Sequence, residues 1–441
     1  MKIDGVKWPP SLQKLNTGFT FNRPVEQVVW PPSLRELTFG YLFNQPITRV
    51  QWPASLQKLR FRGRFNQPVT NVTWPASLQE LSFGQFFRQS IAGAVWPASL
   101  QQLTFGDLKP PLADVTWPPS LRKLVLWSRF NETLVGVQWP ASLEQITFGE
   151  RFSQPLDGVK WPPSLQELSF VDLKPPIEGI AWPPSLRKLR LGWRFELALR
   201  LGSNFDQPIV GAQWPVSLEH MSFGDAFNQS LVGAKWPASL KELSFGGSFD
   251  QPLAEVEWPV SLERLSFGSR IKWRDRLAFN QPISQVIWPV SLQELFFGER
   301  FNQPVDAVVW PASLEQMYFG DYFNQPIEDV AWPASLRKLH FGRFFNQPIG
   351  RVVWPPSLRR LEFARSYFRP DETIAWPASL EELDLGRNDH SMAGIVWPES
   401  LKSVVTCSLV PHPKGGTYFG VVEWVDTGEG RIVIGKCSSQ Q

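Results

Sequence analysis

The pentapeptide Trp-Pro-x-Ser-Leu recurs 18 times, with its Trp at 8, 30, 52, 74, 96, 117, 139, 161, 182, 214, 236, 258, 288, 310, 332, 354, 376 and 397. Successive anchors lie 21 or 22 residues apart, except for steps of 32 after Trp182 and 30 after Trp258. A short fixed period over most of a 441-residue chain leaves one class of architecture open. Each unit is too small to bury its own apolar face, so units stack in one dimension against their neighbours. Length alone would suggest about three domains. The period overrides that prior and predicts one continuous array over residues 1–405, followed by a tail, 406–441, of different composition.

Within a unit the apolar spacing is extended, not helical. From Val50 the chain reads Val50-x-Trp52-Pro-x-Ser-Leu56-x-x-Leu59-x-Phe61, then Phe65-Asn66-Gln-Pro-Val69 and Val72. Leu59-x-Phe61 and Val50-x-Trp52 alternate with the period of a strand. Proline follows every anchor Trp and often precedes Ile or Val, so a helix would be broken twice per unit. The expectation is a mostly β solenoid of about 18 units of 22 residues, with little helix. Each unit has a short parallel strand at Leu-x-x-Leu-x-Phe and an extended, polyproline-like return.

Seven positions per unit can point inward: two Leu, two Phe, Ile or Val, Val and the anchor Trp. The aromatic content of 14% falls mainly in these columns, so the rings are first of all packing residues, and each buried indole N–H calls for a partner. Asn of Phe-Asn-Gln-Pro recurs at 22, 44, 66, 131, 228, 280, 302, 324 and 346, and is Asp at 206 and 250. Such a column at a corner can bond the backbone of the next unit, and the Ser of the anchor can do the same.

These residues resemble the FNIP repeat, a short leucine-rich-repeat variant in which Leu-Pro-x-Ser-Leu-x-x-Leu-x-Leu-Gly is followed by Phe-Asn and Pro-Ile. Here Trp stands for the Leu before Pro, and Phe usually stands for the last strand Leu. The resemblance covers nearly the whole chain. It implies a curved leucine-rich-repeat solenoid with its parallel sheet on the concave face. It implies no activity, because such folds serve mostly as protein-binding scaffolds and fold does not fix function.

Bulk composition excludes several classes. Lys plus Arg is 44 and Asp plus Glu is 41, so no global field demands nucleic acid or membrane. No apolar run is long enough to span a bilayer. The chain enters a repeat within six residues of Met1, which leaves no room for a leader. Only Cys407 and Cys437 are present, which fits a reducing, intracellular and cytoplasmic setting. The four His, 220, 340, 390 and 412, share no ligand spacing. Cys407 and His412 lack a third orienting group for nucleophilic chemistry. Neither enzyme, cofactor nor metal is expected.

Binding on a solenoid belongs on variable exposed positions. The residue after the second Leu is a small hydroxyl in eight units: Thr38, Ser82, Thr104, Thr147, Ser169, Ser222, Ser244 and Ser266. In three consecutive units it becomes Phe296, Tyr318 and His340. Adjacent strands lie about 4.8 Å apart, so the rings should form a contiguous exposed patch, flanked by Glu294, Gln316 and Lys338. That is either an interaction hot spot or a ladder that stabilises itself.

A second irregularity repeats every third unit. The residue before the second Leu is basic at Lys58, Lys123, Lys188, Arg264 and Lys338. The same register carries Trp127, Trp193 and Trp273, and both insertions, with Arg194, Arg200, Arg270, Lys272, Arg274 and Arg276. Basic side chains among Trp suit an acidic polymer, polysaccharide or nucleic acid, on one rim. Duplication of a three-unit block accounts for the same pattern, because Thr104–Leu124 and Ser169–Leu189 are near copies.

"VVEWVDTGEGRIVIG" alternates across a Gly-rich turn and predicts a β-hairpin, so 406–441 reads as a C-terminal cap. No matching N-terminal cap is evident, which leaves that end available for self-association. The leading expectation is a non-catalytic protein-interaction scaffold that binds an unidentified protein partner on its concave face. The alternatives are the acidic-polymer binder and a structural subunit of a larger assembly.

Overall fold

The computed structural model describes residues 3–127, 129–192, 205–268, 279–363, 374–387, 396–411, 417–425 and 433–435. They fall into two compact units, Met1–Gln207 with Ala212–Gly224, and Pro208–Gly211 with Asp225–Gln441. No helix occurs among the described residues.

The first unit holds β1 (Lys14–Asn16), β2 (Glu36–Phe39), β3 (Lys58–Phe61), β4 (Glu80–Ser82), β5 (Gln102–Phe105), β6 (Lys123–Leu126), β7 (Gln145–Phe148), β8 (Glu167–Phe170), β9 (Lys188–Leu191) and β10 (His220–Phe223). Each pairs in parallel with the next. The second unit holds β11 (Glu242–Phe245), β12 (Arg264–Phe267), β13 (Glu294–Phe296), β14 (Gln316–Tyr318), β15 (Lys338–Phe341), β16 (Arg360–Phe363), β17 (Glu382–Arg387) and β18 (Ser403–Pro411), again parallel and in sequence. It ends with β19 (Thr417–Val425), antiparallel to β18, and β20 (Val433–Gly435), antiparallel to β19. The hairpin expected in "VVEWVDTGEGRIVIG" is the β19–β20 pair.

Register follows the repeat. Leu37 pairs with Leu59 and Phe39 with Phe61. It holds across both insertions: Leu189 pairs with Met221, and Leu265 with Leu295. That continuity matters, because a one-residue slip would turn every core side chain to the other face.

Three turns close a regular coil. Leu56 N–H donates to Pro53 O at 3.1 Å across the Trp-Pro corner. Ala94 N–H donates to Ile91 O at 3.1 Å, with Gly93 at φ 77° in the third position. That is a type II turn, which needs a left-handed residue there. A third turn follows the strand, where Phe43 N–H bonds Gly40 O. Where coils are closest the strand-end residue must be Gly: a Cβ on Gly342 would sit 2.2 Å from Gly320 O of the preceding coil.

The coils are tied by the two polar columns as expected. Ser77 Oγ donates to Leu56 O at 2.7 Å, and Ser335 Oγ to Leu314 O at 2.7 Å. Asn302 Oδ1 accepts the Asn324 N–H at 2.8 Å, and Asn324 Oδ1 accepts the Asn346 N–H at 2.8 Å. Asp250 serves the same role for Asn280 N–H at 2.9 Å.

The core is a set of ring ladders. Phe39, Phe61 and Phe83 stack at 5.3 and 5.8 Å, and each Phe also meets its own corner partner, Phe61 to Phe65 at 4.1 Å. Trp30, Trp52 and Trp74 stack at 6.4 Å, edge-on to the Phe column. In the second unit Phe297 and Phe319 lie 5.5 Å apart, whereas Trp354 and Trp376 lie 6.5 Å apart.

Two expectations about Trp need correction. Only some anchor rings are core residues: Trp74 is buried, whereas Trp52 and Trp332 are half-exposed at the core edge. The Nε1 atoms of the anchors from Trp8 to Trp376 are buried without a hydrogen-bond partner among the protein atoms. An unmatched donor costs about 1–3 kcal/mol. Burying an aromatic face of 150–250 Å² is worth roughly 4–6 kcal/mol at about 25 cal/mol per Å². Stacking therefore sets the ring orientation.

Asn302→Ala should remove the acceptor for the Asn324 amide at a half-buried corner, at a local cost of about 1–3 kcal/mol. Amide hydrogen exchange at Asn324 should accelerate by roughly tenfold or more, and Asn302→Asp should restore most of the protection.

Candidate functional site on the strand face

Along a strand the second Leu points inward and the next residue points outward. In the second unit that outward column runs Ser244, Ser266, Phe296, Tyr318, His340, Glu362 and Asp384, each in register with the next. The structure brings Phe296, Tyr318 and His340 together as the spacing requires. The Phe296 and Tyr318 rings stack at 4.1 Å with planes 12° apart, and the His340 ring lies 5.9 Å from Tyr318, tilted by 39°. The three rings are half-buried, not freely exposed, because they cover one another. The flanking column is engaged with them. Tyr318 Oη donates to Gln316 Oε1 at 3.0 Å, and Lys338 Nζ lies 5.0 Å above the Tyr318 ring. Glu294 accepts from Arg264 at 3.1 Å.

A hollow of about 500 Å³ opens where the hydroxyl column gives way to rings. Its walls include Arg264, Ser266, Glu294, Phe296, Gln316, Tyr318 and His340, and Glu299 and Asp321 stand at the strand-end corners. Next to those corners Tyr322 (53% exposed) and Phe344 (49% exposed) pack against each other at 4.9 Å.

Beyond His340 the column turns acidic. His340 Nδ1 lies 2.8 Å from Glu362 Oε2, Lys338 Nζ lies 3.2 Å from Glu362 Oε1, and Arg360 bonds the same carboxylate. Arg360 also reaches Glu382 at 2.7 Å. Burial alone would raise the Glu362 carboxyl, but the His340 hydrogen bond and the charges of His340, Lys338 and Arg360 outweigh it and hold it down to about 2. Asp384 shifts the other way. Burial and the neighbouring Glu362 raise it, against a hydrogen bond from the Gly386 N–H.

The rim residues fare differently. Trp127 is half-buried just after β6, and its backbone N–H donates to Phe105 O at 2.8 Å. Trp193, Arg194, Arg200, Arg270, Lys272, Trp273, Arg274 and Arg276 lie outside the described residues. Three of the five periodic bases are paired across strands: Lys58 with Glu80 at 2.7 Å, Arg264 with Glu294 at 3.1 Å, and Lys338 with Glu362 at 3.2 Å. Cross-strand neutralisation gives that charge column a use within the sheet. Cys407 falls in β18, and His412 lies outside the described residues.

Sequence reasoning missed Glu362, Arg360, Asp384, Tyr322 and Phe344. Following the outward column two units past His340 would have found both acids. The exposed pair was hidden because aromatics just beyond the strand-end Gly also occur elsewhere, at Tyr41 and Phe86. Among the described residues no group of His, Cys, Asp and Glu is placed to hold a metal ion, and no helix is long and apolar enough to cross a membrane. The arrangement suits recognition: a rigid aromatic stack beside a fixed set of charges.

The FNIP Repeat family matches residues 3–42, 21–64, 43–86, 65–108, 227–270, 279–322, 301–344 and 323–366, more than half of the chain. The chain belongs to the FNIP-repeat family. The crystal structure of CroV588, described as a novel circular LRR protein, is 32% identical to this FNIP-repeat chain, with a TM-score of 0.59 over 92% of this chain and 67% of that one. The Toll–Spätzle complex of Drosophila gives a TM-score of 0.54 at 13% identity, over 89% of this chain and 58% of that one, which speaks to the fold alone. No curated protein matches the FNIP-repeat chain in sequence.

The Glu362 carboxyl sits below its ordinary 4.5 in the folded state, so its contribution is present above that value and is lost as the pH falls toward about 2. Glu362→Gln should lower stability at neutral pH by about 1–2 kcal/mol after allowance for solvent screening. Denaturation curves of wild type and variant should converge as the pH is brought from about 4.5 down to about 2.

Proposed function

We propose that this FNIP-repeat chain is a non-catalytic protein-interaction scaffold whose partner docks on the strand face at β12–β15. The observation that carries this reading is the hollow of about 500 Å³ beside the Phe296–Tyr318–His340 stack. Eight other units place a small hydroxyl in that column and keep their strands, so the fold does not call for rings there. Half-buried aromatics held rigid by stacking lose little conformational entropy when a partner covers them. Glu294 and Gln316 on the wall of the hollow, and Lys338 over the Tyr318 ring, are likewise fixed by bonds, so a partner would meet a pre-set pattern of charge and hydrogen-bonding groups. The acidic-polymer reading is less favoured, since three of its five periodic bases are already paired with acids.

The test is capture from native extract at low and moderate salt, wild type against the Phe296→Ala, Tyr318→Ala, His340→Ala triple variant, with melting followed in parallel. The scaffold reading expects one protein to be lost only with the variant, while the melting temperature falls by no more than a few degrees. Partners indifferent to the variant, or a large stability loss with capture intact, contradict it.

A further inference from the structure

The residue before the anchor Trp changes character part-way along the second of the two units. In the first it reads Lys7, Val29, Gln51, Thr73, Val95, Thr116, Gln138, Lys160, Ala181 and Gln213, a mixture dominated by polar side chains. In the second it begins charged, with Lys235 and Glu257, and then six successive repeats give Ile287, Val309, Ala331, Val353, Ala375 and Val396. These side chains do not turn inward. Ile287 is 81% exposed, Val309 81%, Val353 77% and Val396 80%, and both alanines are exposed as well. Single exposed aliphatics, such as Val29 and Val95, are ordinary on a soluble surface; an unbroken row of six is not. The row lies on the return run into the Trp-Pro turn and shares no residue with the strand-face hollow.

We propose that this aliphatic row is the interface of a homodimer, packed against the same row of a second copy in antiparallel order about a two-fold axis between Ala331 and Val353. Three observations choose the occupant. The first is period: neighbouring Trp rings under the row are 6.1 to 6.5 Å apart, and a second copy repeats that spacing step for step. The second is size. Read backwards, the row sets Val353 on Ala331, Val309 on Ala375 and Ile287 on Val396, so each central valine meets an alanine. A shallow hollow of about 410 Å³, walled by Ala331, Trp332 and Val353, opens where the opposing valine would enter. The third is charge. A two-fold axis in the interface plane and perpendicular to the row brings each column onto itself reversed. Two residues before the row, that operation sets exposed Asp329 of one copy against exposed Arg351 of the other, twice. The association buries aliphatic surface alongside two matched ion pairs, and uses none of the residues assigned to partner binding above.

Sedimentation velocity of the full chain from about 1 to 100 µM reads the association directly. Wild type is expected to pass from monomer to dimer within that range. Val309→Lys with Val353→Lys, both at solvent-exposed sites that need not disturb the fold, should raise the dissociation constant at least tenfold. Asp329→Arg alone and Arg351→Asp alone should each weaken the dimer by setting like charges opposite one another. The two together should restore it. A wild type that stays monomeric throughout, because the row serves a different protein or none, overturns the proposal. So does a dimer indifferent to the double lysine variant, or charge swaps that fail to rescue each other.

Discussion

At two corners of every regular coil the backbone runs out of backbone partners, and a side-chain oxygen takes over. The Asn oxygen accepts an N–H from the next coil, and the Ser hydroxyl donates to a carbonyl of the coil before. A buried backbone group left unmatched costs on the order of a lost hydrogen bond. Each bond links equivalent positions one period apart, so the period itself becomes a condition of stability. The ring ladders follow from it: once corners are in register, Phe stacks on Phe and Trp on Trp. The strand-end Gly follows too, because coils this close leave no space for a Cβ between Gly342 and the carbonyl of Gly320. Register is kept on either side of both insertions, as the pairing of Leu189 with Met221 and Leu265 with Leu295 demonstrates.

A scaffold so constrained has few positions to vary. The outward strand column is one, and in the second unit it passes from hydroxyl through three rings to two acids. That sequence of side chains makes a graded surface: a hollow over Ser266, an aromatic step, and a charged cluster centred on Glu362. The cluster stiffens the aromatic step, because His340 touches both Tyr318 and Glu362. Lys338 does the same from the flanking column, between the Tyr318 ring and Glu362. The pre-Trp column is the other variable position, and its change from polar to aliphatic falls in the same unit.

The repeat made the fold legible, since one period of 22 residues names the strand, the core columns and the corner bonds together. The aromatic stack was legible for the same reason: Phe296, Tyr318 and His340 are consecutive members of one column. What lay beyond reach was whatever depends on side-chain reach instead of register. That Lys338, His340 and Arg360 converge on Glu362 requires knowing how far each extends along the sheet. The indole N–H atoms escaped for a related reason, since a periodic pattern places rings but does not say which edge each presents. The half-burial of the stack was missed because alternation separates inside from outside and is silent about cover from neighbouring rings.

The central claim is that the regular columns hold the fold while the departing column is available for binding. Amide hydrogen exchange on a variant that returns Phe296, Tyr318 and His340 to serine, the residue their column carries in β11 and β12, tests it most directly. If the corner bonds and core ladders carry the structure, protection across β13, β14 and β15 stays within a few-fold of wild type. If protection there collapses toward that of an unfolded segment, the rings are a structural ladder, and the division of labour argued for this chain is wrong.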